Sequence, residues 1–554
     1  MDRHPSQLRH EQWFRLIAAA IALAATLFAV MQSCRWTAPG KVYVGGGVRW
    51  LRDGRTPEAA FRTIQEALDQ ALPGDTIVVA DGWYREQLQI RRGGTAQQPV
   101  HIQALNPGRA IVSRETPLSE ALSKAWKDEG AGFYSATTRW PIYRVHLSEA
   151  TLFRIVYGGP DRLRALVEKP NAFSSFCWED GRLLVWLKKS ERTQLKDLIT
   201  HCRAPEPREW GEFRSANVAV QAEHVIMQGF DLRMGVGAGV LLMKSSGIVL
   251  EDCAMSGANY GVMSPGQCDL SGPLTVRRCL YHHFPQYEWR KSWLSWDDIY
   301  VGHASSSLIS SNVSKVIVED SVAVHTGDAI RMSNETSSVD PAALISGNLL
   351  ALGTDDALEL EGPARNIRVV NNLVYEFHES LGLSPVEVGP VEILENVFLH
   401  ERDGTNGAQV KLINREGTEC GIRNIRIDNN VFVGNWLCWM AGSVQDVRVS
   451  NNVFCVQRQS EPKWPTGVTE VENRYLDWTA TIRRELDGHE MTSAGISDQL
   501  LAVSVSDSAT PAMSVLEKFN GKTKPGPLWW NWQHPATAAV AERITTISNE
   551  VLPP

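Results

Sequence analysis

The stretch Asn366-Ile-Arg-Val-Val-Asn-Asn-Leu-Val-Tyr375 decides the fold of this 554-residue chain. Ile367, Arg368 and Val369 alternate with the two-residue period of a β-strand, an Asn-Asn pair interrupts them, and a second apolar run follows. Asparagine suits such a turn because it tolerates a left-handed backbone, and because its amide can bond the same amide stacked one layer away. The pattern of β run, turn and β run recurs from near His224, Ser246, Pro273, Ser314, Ala342, Pro390, Asn424 and Asp446. With turns at Gly229, Asp252, Arg278, Asp320, Asn348, Asn372, Asn396, Asn430 and Asn452, successive gaps are 23, 26, 42, 28, 24, 24, 34 and 22 residues. The short gaps match one coil of a parallel β-helix, and the long ones a coil with a loop let out.

Upstream of these coils, Phe61-Arg-Thr-Ile-Gln-Glu-Ala-Leu-Asp-Gln-Ala-Leu72 has apolar residues at helical spacing and a Pro73-Gly74 stop. Lys41–Val44, Thr76–Ala80, Gln87–Ile90 and Val100–Ala104 read as strands. Phe61–Ala67, Pro73-Gly-Asp-Thr-Ile-Val-Val79, Gly82-Trp-Tyr84 and Gly94-Thr-Ala-Gln-Gln-Pro-Val-His-Ile102 resemble the N-terminal cap of the pectate-lyase-like superfamily. The same region is similar to that of alginate- and chondroitin-type lyases. The resemblance implies an all-β fold, a right-handed single-stranded parallel β-helix with an N-terminal helical cap. It is specific for fold and much less so for chemistry.

The expected organisation has five parts. Residues 1–40 hold an export signal or membrane anchor with its linker, and 41–112 the cap and first coils. Residues 113–215 break the rhythm as an inserted β-rich subdomain, in which Glu179-Asp-Gly181 marks a hairpin. Residues 216–456 form the repeats. Residues 457–554 form a capping extension, with a helix expected over Trp478–Leu486 and an exposed aromatic cluster at Trp529-Trp-Asn-Trp532.

In the first part, Arg3, Arg9 and Arg15 precede an unbroken apolar run, Leu16–Met31. That run is long for a signal-peptide core and short for a full membrane span, so an exported protein held to the membrane by a retained signal is expected. Export would permit disulfides, with Cys177/Cys202 and Cys420/Cys438 as candidates among nine cysteines. No Cys-x-x-Cys spacing points to zinc. A net charge of −8 offers no basic field for nucleic acid. A monomer acting on a polysaccharide is expected.

Chemistry concentrates in Gly353-Thr-Asp-Asp-Ala-Leu-Glu-Leu-Glu-Gly362. Asp328 lies eight residues after Asp320, and Asp356 eight after Asn348, while Ser380 takes that place in the next coil with Glu379 beside it. Coils are ~4.8 Å apart, so equal offsets form a vertical file. Asp328 should face Asp356, with Arg331 over Glu359 as an ion pair and Glu361, His378 and Lys411 extending the face. Paired carboxylates suit glycosidic hydrolysis. Here His325-Thr-Gly-Asp328, Gly353-Thr-Asp-Asp356, His378 and Val410-Lys411 resemble, in order, the elements of polygalacturonase-type hydrolases, although the glycines flanking the His and the Arg partner of the Lys are missing. That resemblance implies an inverting hydrolase using Asp328, Asp355 and Asp356. Glu359-Leu-Glu361 resembles the calcium-binding Glu-x-Glu of β-helix lyases, which implies β-elimination from a uronate with Ca²⁺ bound there and Lys411 or Arg365 as base. Lyase-type cleavage is the leading expectation, hydrolysis the alternative, and a non-catalytic glycan-binding β-helix the third. The loop after Arg278 carries His283, Tyr287, Trp289, Arg290, Trp293 and Trp296, a density of rings and charge suited to stacking on an acidic polymer.

Overall fold

A computed structural model describes residues 39–551 apart from 47–51, 116–119, 121, 148–150, 153, 156–158, 169–173, 204–215, 236, 265–272, 284–306, 312–314, 334–341, 401–407, 414–420, 435–437, 457–463, 478–481, 487–488, 494–514, 516–517, 520–524 and 534–536. Among the described residues the coils build three parallel sheets of 13, 12 and 10 strands, most coils giving one strand to each. In the first sheet, Lys315–Glu319 pairs with Ala342–Ser346, which pairs with Ile367–Val370 and then Val391–Leu394. The strands form because Val, Ile and Leu at alternate positions can all point inward: Val316 and Val318 are buried while Lys315 is exposed. This is the right-handed parallel β-helix expected from the repeats.

Two inward stacks lock the coils in register. Asn348, Asn372, Asn396, Asn430, Asn452 and Asn473 form a ladder between the first and second sheets, each Nδ2 donating to the next Oδ1 at 2.9–3.0 Å. Each Oδ1 also accepts from the backbone N–H of the preceding member. In earlier coils Cys253, Cys279 and Ser321 hold the equivalent place, the two thiols buried and free as small core residues. Further inside, Phe398, Phe432 and Phe454 stack, and the exposed Tyr475 ends the stack, with centroids 4.6, 5.1 and 5.2 Å apart, close to the ~4.8 Å coil spacing.

The left-handed residue of the corner is the one just before the ladder residue. Asp252, Arg278 and Asp320 precede Cys253, Cys279 and Ser321, as Gly347, Asn371, Glu395, Asn429 and Asn451 precede the ladder Asn residues. The sequence pattern follows the first of these positions up to Asp320 and the second from Asn348. The turn positions taken from sequence therefore slip by one residue between Asp320 and Asn348.

The N-terminal helix is shorter than the sequence pattern, Ile64–Leu68, because Phe61 instead bridges Val44. Thr63 and Glu66 close it with a reciprocal capping box, and Ile64, Ala67 and Leu68 seal the end of the core. The 113–215 stretch forms antiparallel sheets, in which Ser175–Glu179 and Arg182–Trp186 meet at a turn with φ of 47° and 76° at Asp180 and Gly181. Cys177 there is a buried free thiol, so the Cys177/Cys202 disulfide is not made, and Cys420 lies outside the described residues.

Two C-terminal expectations change. Ile482–Leu486 is a strand paired antiparallel with His489–Ser493, not helix; the two-residue connection is Asp487-Gly488, a hairpin dipeptide. Trp529, Trp530 and Trp532 are packed, not exposed. With the helix Ala538–Val551 they cover the apolar outer side of the second sheet, where Val540 and Ile544 meet a surface that includes Val322, Leu349 and Val397. The apolar run Leu16–Met31 lies outside the described residues, among which no helix is long and apolar enough to cross a membrane.

Candidate active site

Four neighbouring strands of the third sheet carry the site: Ile330–Ser333, Asp356–Glu361, Glu379–Gly382 and Val410–Ile413. Leu358 and Leu360 point into the core, which sends Glu359 and Glu361 to the other side of their strand; Ala357 is in the core as well, so the alternation breaks there and Asp356 joins the two glutamates. Ile330 pairs with Leu358 and Arg331 with Glu359, so Asp328 falls beside Asp356 as expected. Asp356 in turn pairs with Glu379, not Ser380. The reason is one extra residue: the second sheet repeats at 27 residues here, Thr326 to Gly353, whereas the third repeats at 28, Ile330 to Leu358. That insertion cancelled the slip in the turn positions for Asp328 and Asp356, and it misplaced the next coil. Glu379 is the site residue that sequence reasoning undervalued.

A second file runs alongside, Arg331, Glu359, Gly382 and Lys411. Arg331 Nε is 2.9 Å from Glu359 and its Nη1 3.8 Å from Asp328 Oδ2. At Gly382 the file has a gap. A Cβ there would sit 2.3 Å from Asp356 Oδ2, so glycine leaves space for that carboxylate. Lys411 reaches past it to Asp356, Nζ to Oδ2 2.5 Å. His378 is partly exposed, 3.8 Å from Glu379.

The carboxyls are crowded and dry. Asp328, Asp356 and Glu379 are at most 3 % exposed, and Asp355 is half-buried. Burial raises the Asp328 proton affinity well above the usual range, and Asp355, Glu359 and Asp356 add to it against Arg331. Asp355 is pushed up to about 6 by burial, with Lys411 opposing and Glu359 adding. Glu379 rises to about 7, again by burial, opposed by Lys411 and reinforced by Asp355. Burial alone would lower Lys411, but Asp356, then Glu379 and Asp355, hold its ammonium protonated above the ordinary lysine range. Burial pushes Asp356 upward too, yet its contact with a firmly protonated Lys411 makes the two an ion pair. A proton is therefore held most firmly by Asp328, then by Glu379, and least by Asp355.

A family model described as chondroitinase B matches residues 59–120. That is the cap and the strands just after it, and none of the acidic residues lies within it. A curated relative, the uncharacterized protein YwoF of Bacillus subtilis strain 168, is 24% identical over 108 residues, 19% of this chain. The match spans 23% of that protein's length. Among solved structures, XylC in complex with xylose aligns with a TM-score of 0.46 at 11% identity, over 81% of this chain and 88% of that one. A mannuronic acid specific polysaccharide family 6 lyase from human gut microbiota gives 0.36 at 13%, over 87% and 97%. An alginate lyase from Paenibacillus sp. str. FPU-7 gives 0.35 at 10%, over 74% and 94%.

The site also fits a hard cation. Asp328, Asp355 and Asp356 bring one carboxylate oxygen each within 4.8 Å of one another, as do Asp356, Glu359 and Glu361. Asp328 Oδ1 and Asp356 Oδ1 are buried without a hydrogen-bond partner among the described residues. An all-carboxylate donor set suits Ca²⁺, which takes six to eight oxygens. Glu359 is already engaged by Arg331.

Of the loop residues expected to hold substrate, Tyr287, Trp289, Arg290, Trp293 and Trp296 lie outside the described residues. His283 is buried, its Nδ1 3.0 Å from Ala258 O and 3.4 Å from the Tyr281 hydroxyl, which places it in the packing between its own coil and the one before.

Proposed function

We propose that this protein is a carbohydrate-active enzyme that cleaves a uronate-containing polysaccharide on its acidic face. The observation that carries the reading is a group of touching carboxyls with unequal proton affinity. Asp328 retains its proton well above the usual carboxyl range and Glu379 is raised to about 7, whereas Asp355, at about 6, is largely ionised near neutral pH and Asp356 stays ionised against Lys411. Hydrolysis of a glycosidic bond needs that inequality, because one carboxyl must protonate the leaving oxygen while another faces the positive charge growing on the sugar ring. Asp328 holds the proton; Asp355, the more exposed, is its hydrogen-bond partner and passes the proton outward; Asp356 is the anion. One oxygen of each lies within 4.8 Å of one oxygen of the others.

Elimination is the second reading, favoured by the Asp356, Glu359 and Glu361 group. Ca²⁺ held there would neutralise a substrate carboxylate. The base is the weak point, since Lys411 is kept protonated and Arg365 is exposed to solvent. Residues 1–40 support placing the enzyme outside the cytoplasm, tethered by Leu16–Met31, where such polymers are met.

The test is degradation of polygalacturonate, alginate and a neutral glucan by the wild type and by Asp355→Asn. Hydrolysis predicts saturated reducing ends from a uronate polymer and a loss of ~10³-fold or more in the variant, with unchanged circular dichroism. An ultraviolet-absorbing unsaturated product, abolished by chelator, would put elimination in its place. Binding without cleavage of any polymer would leave only a glycan-binding protein.

A further inference from the structure

A groove of about 240 Å³ lies on the second sheet, away from the acidic face, where residues 525–533 fold back across the solenoid. Its floor is a file of Arg233, Ser256 and His282 from three successive coils. Trp529 and Trp530 form one wall, and the turn Pro107–Arg109 the other. The strand carrying Asp231 is four coils, roughly 20 Å, before Leu349–Gly353, but that of His282 adjoins the coil of Asp328, so it is the change of sheet that separates the groove from the acidic site.

The walls are rigid. Trp529 donates its Nε1–H to Asp252 O at 2.7 Å, and its ring lies on Gly108, where a Cβ would come within 2.2 Å of it. Gly108 also has a φ of +76°, so other residues would be strained there. Trp530 donates to Thr537 Oγ1 at 3.1 Å and meets the His282 ring at 5.7 Å. Both indole N–H groups are thus consumed internally, and what the groove meets is ring surface. On the floor, Asp231, 5 % exposed, takes two bonds from Arg233, to Nε at 2.8 Å and Nη2 at 2.7 Å. Arg233 lies over the Trp83 ring at 5.3 Å. Its charge is neutralised inside the site. Arg109, exposed on the rim, has no ion pair among the described residues, so the groove keeps one uncommitted cation.

We infer that this groove is a second glycan site that takes one sugar ring bearing a carboxylate. Fixed aromatic faces suit the apolar C–H face of a pyranose, the Asp231–Arg233 pair and Asn531 suit its hydroxyls, and Arg109 suits the carboxylate through its planar fork. The volume is below the ~300–1,000 Å³ of sites for drug-sized ligands, which is the scale of a single ring and not a chain. Such a site would hold the polymer on the solenoid independently of the acidic face. It shares the substrate class proposed above but not its residues.

The test is ligand-observed saturation-transfer NMR on the full chain carrying Asp355→Asn, with glucuronate, galacturonate and mannuronate as probes and glucose as neutral control. At least one uronate should bind, and more tightly than glucose. Arg109→Ala should weaken that binding tenfold or more while leaving cleavage of short oligosaccharides by the otherwise wild-type chain unchanged. Trp530→Ala should abolish it; if that variant loses the C-terminal cover, Trp530→Phe, which keeps a ring, should retain part of it. Equal binding of uronates and glucose, no binding of any, or binding indifferent to Arg109→Ala would overturn the site. Loss of polymer cleavage with uronate binding intact would count against the acidic face alone.

Discussion

Two files of polar side chains run up the same solenoid in opposite states. At the corner of the first two sheets, Asn348 to Asn473 stack with every amide donating to the next, and Asn348, Asn372, Asn396, Asn430 and Asn452 are at most 1 % exposed. On the third sheet, Asp328, Asp356 and Glu379 stack in the same parallel register, yet an oxygen of Asp328 and one of Asp356 lack partners among the described residues and burial raises the proton affinity of Asp328 and Glu379. The stacking geometry is shared, so the difference lies in the groups. An amide is both donor and acceptor, and a column of amides satisfies itself. An ionised carboxylate only accepts, so a column of carboxylates needs protons, a cation or a substrate brought to it. A satisfied file is structure; an unsatisfied one stores chemistry.

The sharpest way to break this contrast is Asp356→Asn, which places an amide in the acidic file. Turnover should fall by ~10³-fold or more. The melting temperature should not fall, because like-charge crowding is relieved and Lys411 keeps Glu379 and Asp355 as neighbours. Turnover near wild type would show that the acidic file is only a surface, as the ladder is only a core.

The reciprocal change is Asn396→Ala in the middle of the ladder. It removes donors to Val369 O, Leu394 O and Asn430 Oδ1, and the acceptor for Asn372 N–H and Nδ2–H. Leaving several buried groups unpaired should cost about 3 kcal/mol, read as a lower urea midpoint, with turnover per folded molecule unchanged. A stable variant with altered turnover would invert the assignment of the two files.

The solenoid was legible because its signals repeat. Alternating Val and Ile, Asn-Asn corners and gaps near one coil reinforce one another over many turns, so a single misread corner does little harm. The site was legible as a location and less so as a register. Asp328 beside Asp356 and Arg331 over Glu359 emerged from offsets, but one inserted residue moved Glu379 into the file where Ser380 was expected. A side-chain period of two makes such a slip consequential, since it changes which residue faces out. The role of Gly382 was not legible at all, because it is a space for Asp356 and a path for Lys411, and sequence does not display empty volume. Nor was the hold of Asp356 on Lys411, which lies 55 residues further along the chain. At the C-terminus, Asp487-Gly488 was the available hairpin signal, outweighed by a spacing that looked helical.

The smallest effect separates the two files by pH alone. A carboxyl whose proton affinity is raised by folding stabilises the fold fully below its unfolded value, and loses that contribution as pH climbs through its folded value. For Asp355 that window runs from 3.8 to about 6, and for Glu379 from 4.5 to about 7. Stability should therefore be higher at pH 5 than at pH 8, by on the order of 2 kcal/mol for each group after allowance for their shared dependence on Lys411. Asp355→Asn and Glu379→Gln should each flatten the slope of urea stability against pH. Asn396→Ala should instead lower the whole curve and leave its slope intact, because amides do not titrate. A slope untouched by Asp355→Asn would mean that the acidic file is solvated in solution, and that its carboxyls bind protons no more tightly than those of the unfolded chain.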